Sequence, residues 1–75
     1  MLTDQEIWNA YFSREVVEYD TNVRWVEVVV TQIQPNVDKQ GNAFMEYVKV
    51  IEYNNTRNEH KVSSYNRLRH KEKKL

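Results

Sequence analysis

The sequence predicts an α+β domain in which an N-terminal helix packs on a bent antiparallel sheet of three to four strands. Two patterns support this: apolar residues at helical spacing near the N-terminus, and two later segments rich in β-branched and aromatic residues. Short polar segments separate the predicted elements, which favours neighbouring strands that run antiparallel. With 75 residues and no cysteine, the chain is expected to form one small domain without disulfides.

The first element is a helix predicted over residues 4–12. Thr3 and Glu6 have the spacing of a capping box, in which each side chain bonds the backbone N–H of the other residue. Four apolar residues then follow at helical spacing: Ile7, Trp8, Tyr11 and Phe12. We expect this face to pack on the sheet. Residues 14–19 are compatible with either an extension of the helix or a first strand.

Residues 23–34 form the strongest predicted strand. Side chains alternate between the two faces of a strand, and here both faces are apolar, with Trp25, Val29 and Ile33 expected on one of them. A second layer must therefore cover each face, and one short helix covers only one. Closure of the sheet into a small barrel and association of two copies are the alternatives for the other face.

The later elements follow from polar breaks in the sequence. Pro35 is expected to end the long strand, because proline lacks the N–H that a strand ladder requires. A polar loop over residues 35–42 leads to a second predicted strand over 43–53. A polar turn over 54–59 then leads to a third, weaker strand over 60–68.

One pattern across these strands resembles Tudor and other SH3-like modules. It consists of Trp25 in the long strand, Tyr53 near the end of the second strand and Arg67-Leu68-Arg69 at the end of the third. The resemblance implies a sheet that closes into an SH3-like barrel if residues 14–19 supply a further strand. The N-terminal helix lies outside this pattern.

Charge is separated along the chain although the net charge is zero. Residues 1–38 hold seven acids and two bases, whereas residues 39–75 hold four acids and nine bases. This separation indicates an acidic partner for the basic half or docking between copies, unless folding interleaves the charges on one surface. We expect residues 1–68 to form a single compact domain and residues 69–75 a basic C-terminal tail.

The sequence carries no pattern typical of catalysis or cofactor binding. Two histidines without cysteine do not supply a metal-ligand set, and a single glycine cannot build a phosphate-cradling loop. We therefore expect no enzyme activity, metal or cofactor. No apolar run reaches the roughly 18 residues of a membrane span, and the N-terminus is acidic, unlike a secretory signal. We expect no membrane association and a cytoplasmic location.

These observations predict a small non-enzymatic protein that docks on a protein partner and modulates it. Its size and lack of cysteine resemble those of bacteriophage accessory proteins, such as anti-restriction, anti-CRISPR and polymerase-binding inhibitors. The alternative is a nucleic-acid-binding small barrel that uses the basic half, and a homodimer is also compatible with the sequence. The residues expected to contact a partner are tyrosines and C-terminal cations: Tyr19, Tyr47, Tyr65, Arg67, Arg69, Lys71, Lys73 and Lys74.

Overall fold

A computed structural model describes residues 2–63 and 65–71 and shows an N-terminal helix packed on a five-stranded antiparallel sheet. The elements are α1 (Asp4–Ser13), β1 (Val16–Asp20), β2 (Trp25–Val37), β3 (Ala43–Glu52), β4 (Asn55–Val62), a 3₁₀ turn (Tyr65–Arg67) and β5 (Leu68–His70). The strand order is β4-β3-β2-β1-β5, and the sheet is open, with β4 and β5 at its edges. The predicted α+β class is confirmed. The SH3-like barrel stays a prediction.

The helix begins and ends on local signals. At its start the Thr3 hydroxyl accepts from the Glu6 N–H over 3.2 Å, and the Glu6 carboxylate accepts from the Thr3 N–H over 3.0 Å. The predicted capping box is thus confirmed. Arg14 adopts a left-handed conformation with φ of 55°, and the N–H of the next residue, Glu15, bonds the Ala10 carbonyl over 3.1 Å, which ends the helix. The chain then enters β1 at Val16, so the segment over 14–19 supplies a first strand and does not extend the helix.

The expectation that Pro35 ends the long strand was wrong. Strand β2 continues to Val37, and Pro35 lies opposite Met45, beside a bulge in which Glu46 is the extra residue of β3. Strand β1 pairs with β2 only as far as Val29, so β2 has a neighbour on one side at this point. A proline without an N–H is tolerated at such an edge and beside a bulge.

A second bulge changes which residues face the core. Thr31 is the extra residue in β2, and after it Ile33 pairs with Val48. Ile33 therefore lies on the buried face with Val30 and not on the face of Trp25, as its sequence spacing predicted. The inserted residue reverses the alternation for the rest of the strand.

The C-terminal third also departs from the prediction. The segment predicted as a polar turn over 54–59 belongs mostly to β4, and only the two residues between β3 and β4 form the turn. The third predicted strand is divided among the end of β4, the 3₁₀ turn and β5. Arg69 and His70, expected in the tail, are strand residues that pair with β1. Residues 72–75 of the tail lie outside the described residues.

The core lies between α1 and the concave face of the sheet. The Tyr19 ring of β1 and the His60 ring of β4 have centroids 5.0 Å apart, although β2 and β3 lie between their strands. The sheet is therefore strongly curved around this face. The buried residues are Leu2, Ile7, Ala10, Val17, Tyr19, Val28, Val30, Met45, Val48, Val50, Val62 and Leu68. Each large apolar side chain buried here contributes about 1.5–3 kcal/mol.

Candidate functional site

The tyrosines predicted to contact a partner have roles within the chain. Tyr19 is buried in the core, and the Tyr65 hydroxyl donates to the Met45 carbonyl over 2.7 Å. Burial raises the pKa of the Tyr65 phenol, and the nearby Asp4 carboxylate raises it further. Tyr47 is half-buried, with the Lys61 ammonium 4.3 Å from its ring centroid. The Tyr19 ring contacts the His60 ring, so the described contacts of all three tyrosines are made within the chain.

Two of the predicted cations are neutralised within the chain. Arg69 Nε lies 2.9 Å from Glu18 Oε1, and Arg69 Cζ lies 3.8 Å from the Trp25 ring centroid. Lys71 Nζ lies 3.3 Å from Glu27 Oε2. These contacts join bases of the C-terminal half to acids of the N-terminal half. Folding therefore places the separated charges side by side on the convex face, which is the face of the sheet opposite α1. Lys73 and Lys74 lie outside the described residues.

A third such contact connects β5 to the start of α1. The His70 ring bonds the Glu6 carboxylate, which also caps the helix through Thr3. The hydrogen bond from His70, followed by those from Thr3, lowers the pKa of Glu6 from 4.5 to about 2. The Leu2 N–H also donates to the Leu68 carbonyl, so the chain start is held on β5 by backbone and side chain.

The most exposed aromatic surface lies on α1. We call Trp8, Tyr11 and Phe12 the aromatic patch. The Trp8 and Phe12 rings stack with centroids 5.7 Å apart, and the Tyr11 and Phe12 centroids are 5.3 Å apart. Trp8 and Tyr11 are half-buried against the core, whereas Phe12 is 75% exposed. The patch therefore presents one exposed ring supported by two partly buried rings.

A groove borders the aromatic patch. Tyr11 and Phe12 line it from the helix, Val30 and Thr31 line it from β2, and Arg14 lies at its end; its volume is about 230 Å³. Within the described part of the chain, Arg14 makes no ion pair and no side-chain hydrogen bond. The groove thus has one aromatic wall, one wall of valine and threonine, and one guanidinium that is unpaired among the described residues.

The sequence placed Phe12 on the buried helix face, and this prediction was wrong. A helix turns about 100° per residue, so Phe12 lies about 140° around the helix from Ile7, at the centre of the buried face. The prediction that the four apolar residues lie at helical spacing was correct. However, they cover a wider arc of the helix surface than the sheet can bury. This excess width is the sequence signal for an exposed aromatic residue.

Two residues from the predicted contact set come together elsewhere. Tyr19 and Arg67 line a cleft between the end of β4 and the turn before β5, with a volume of about 290 Å³. Tyr65 and Arg69 are not among the residues that line it. The predicted contact residues that the structure describes thus occupy the core, the convex face and this cleft, and do not form one surface.

Comparisons with known proteins add no assignment: no family model, curated protein or solved structure matches the chain. Among residues 2–63 and 65–71, no group of three or more histidine, aspartate or glutamate side chains is placed to hold a metal ion. Within the same residues, no helix has the length and apolar character needed to cross a membrane.

Proposed function

We propose that this chain is a non-enzymatic, cytoplasmic binding protein whose aromatic patch docks on a protein partner and modulates it by occupying its surface, in the manner of a phage accessory inhibitor. The observation that supports this most is Phe12, a large apolar side chain that is 75% exposed and stacked on Trp8. Burying such a ring contributes about 1.5–3 kcal/mol, which the free chain does not gain.

The helix that carries the patch is anchored at both ends and along one side. It is fixed at one end by the capping box and at the other by the left-handed Arg14. Ile7 and Ala10 anchor the opposite side of the helix in the core. Docking through Phe12 would therefore cost little conformational entropy, which favours affinity. Tryptophan, tyrosine and arginine are also the residue types that contribute most energy at interfaces.

The groove indicates what the partner presents. Its aromatic wall and Val30 suit an apolar side chain, and the free guanidinium of Arg14 suits a carboxylate next to that side chain. We therefore expect a partner segment that carries an apolar residue followed closely by an acidic residue.

The nucleic-acid alternative has less support. It relies on free cations in the C-terminal half, and Arg69 and Lys71 are already paired with Glu18 and Glu27. Separating each pair to contact a phosphate would forfeit an existing charge interaction. We do not propose strand binding along this half.

The test compares two exposed apolar positions. A photo-crosslinking amino acid replaces Phe12 in one variant and Val23, which is 89% exposed and outside the patch, in the other. We expect a specific cross-linked protein from position 12 and none from position 23 in cells that naturally contain this chain. With that protein purified, Phe12→Ala should weaken binding at least about tenfold and Val23→Ala should leave it unchanged. Equal cross-linking from both positions, or unchanged affinity of Phe12→Ala, would refute the proposal.

A further inference from the structure

A cleft opens at the side where the sheet does not close. It lies between the end of β4 and the 3₁₀ turn that leads to β5, and its volume is about 290 Å³. The residues that line it are Tyr19, Lys61, Val62, Ser63 and Arg67. Two of them are cations and two carry hydroxyl groups. Within the described part of the chain, no acidic side chain lines it.

The hydroxyl of Tyr19 reaches this cleft without a partner. Tyr19 is only 8% exposed, and its hydroxyl has no hydrogen bond among the described residues. Within those residues, no fully buried side-chain oxygen or nitrogen lacks a hydrogen-bond partner. The Tyr19 oxygen must therefore be solvent-accessible, and the cleft is the opening that this side chain lines. A mostly buried tyrosine thus directs an unused donor into the cleft.

The positive charge in the cleft is not balanced by the chain. Five basic side chains of β3, β4 and the C-terminal segment contact carboxylates: Lys49 with Glu59, His60 with Glu52, Arg69 with Glu18, His70 with Glu6, and Lys71 with Glu27. Arg67 makes no ion pair or side-chain hydrogen bond among the described residues. The Lys61 ammonium lies 4.3 Å from the centroid of the Tyr47 ring, and Tyr47 does not line the cleft, so Arg67 is the cation of this lining that has no partner among the described residues.

We propose that this cleft binds the phosphate group of a small phosphorylated ligand, such as a mononucleotide. The Arg67 guanidinium and the Tyr19 and Ser63 hydroxyls supply donors for several oxygens of one tetrahedral anion, and a planar carboxylate would leave part of this set unused. The cleft's size admits one phosphate with a small attached group. The site is separate from the aromatic patch, because the two share no lining residue.

The test is a titration followed by backbone amide NMR shifts. The probes are inorganic phosphate, adenosine monophosphate, and adenosine as the ligand without phosphate. We expect phosphate and the monophosphate to shift the amides of Tyr19, Ser63 and Arg67, and adenosine to leave them unchanged. Arg67→Gln should weaken binding about tenfold, and Tyr19→Phe, which removes only the hydroxyl, should weaken it severalfold. Arg57→Gln is the matched control, because Arg57 is exposed on β4 and does not line the cleft.

The outcomes separate the sources of the phosphate. Tighter binding of the monophosphate than of phosphate supports a nucleotide ligand, and equal binding supports recognition of the phosphate group alone. An oligonucleotide with a 5′-phosphate that binds as the monophosphate does, while its dephosphorylated form fails, supports a terminal phosphate as the source. Equal weakening by Arg57→Gln and Arg67→Gln, equal binding of adenosine and its monophosphate, or no amide shift at millimolar phosphate would overturn the proposal.

Discussion

Leu68→Ala tests whether β5 belongs to the core. Leu68 is completely buried and pairs with Tyr19 of β1, although the sequence predicted that the compact domain ends at this residue. Its carbonyl also accepts the Leu2 N–H, so the strand holds the chain start as well. If this packing is correct, truncation of one side chain should lower the stability of the whole domain.

The expected loss follows from burial. Leucine to alanine removes three carbon groups, and each contributes about 0.8 kcal/mol when buried, so transfer alone costs about 2.4 kcal/mol. The cavity that remains raises the cost within the usual range of about 2–5 kcal/mol. A domain of this length has a free energy of unfolding of about 4–11 kcal/mol. The variant should therefore lose a large fraction of its stability.

Urea unfolding followed by circular dichroism measures this loss directly. Val23→Ala serves as the control, because Val23 is 89% exposed and its truncation should change the free energy of unfolding by no more than about 0.5 kcal/mol. A loss below about 1 kcal/mol for Leu68→Ala would refute the packing of β5, since even a partly relaxed cavity costs more than this.

Two further substitutions test the local structure. The pKa of Glu6 is lowered from 4.5 to about 2, so its carboxylate stabilises the fold above pH 4.5 and this contribution is lost as pH falls toward 2. Glu6→Gln should lower the melting temperature at neutral pH and flatten its decline over that interval; a decline as steep as in the native chain would contradict this. Gly41 has φ of 85° and no atom within 4 Å of an added Cβ, so Gly41→Ala should cost about 1 kcal/mol through backbone conformation alone. Urea unfolding measures this, with Gln40→Ala as a control at negative φ, and an unchanged midpoint for Gly41→Ala would count against the left-handed turn.

The helix and the long strands were predictable because their signals are local. The capping box depends on residues three apart, and the valine-rich segment indicates a strand wherever it lies in the fold. The sequence also predicted β3 almost to its observed ends. Predicting these elements therefore required no information about the elements that pack against them.

The edge strands were not predictable in the same way. Residues 55–59 of β4 are all exposed and polar, so they lack the apolar alternation that indicates a strand. Asn55 and Glu59 of this stretch pair with β3 on either side of a register shift, and a local sequence pattern does not contain such pairing. The three residues of β5 likewise depend on pairing with β1. The bulges at Thr31 in β2 and Glu46 in β3 could not be predicted either, because nothing in the sequence near these residues indicates an inserted residue.

The candidate sites depended on tertiary structure even more strongly. Sequence reasoning selected tyrosines and cations, which are suitable residue types, but it could not decide which cations face an acid. Arg67 and Arg69 are two positions apart, yet Arg69 contacts Glu18 and Trp25, whereas Arg67 faces the cleft. Residue type alone gives the two arginines the same prediction.

The convex face bears on whether two copies must associate. Val16, Val29 and Ile51 form a row across β1, β2 and β3, and each is half-buried rather than fully exposed. Charged side chains of the same strands flank this row, among them Glu18, Glu27 and Lys49. The aliphatic parts of such side chains can cover neighbouring apolar surface while their charges stay in water. A homodimer remains a prediction, but burial of this face does not require it. Among the described residues, the exposed Phe12 ring, the unpaired Arg14 and Arg67 guanidinium groups and the Tyr19 hydroxyl are instead available to a ligand, and binding at these positions would add contacts without breaking existing ion pairs.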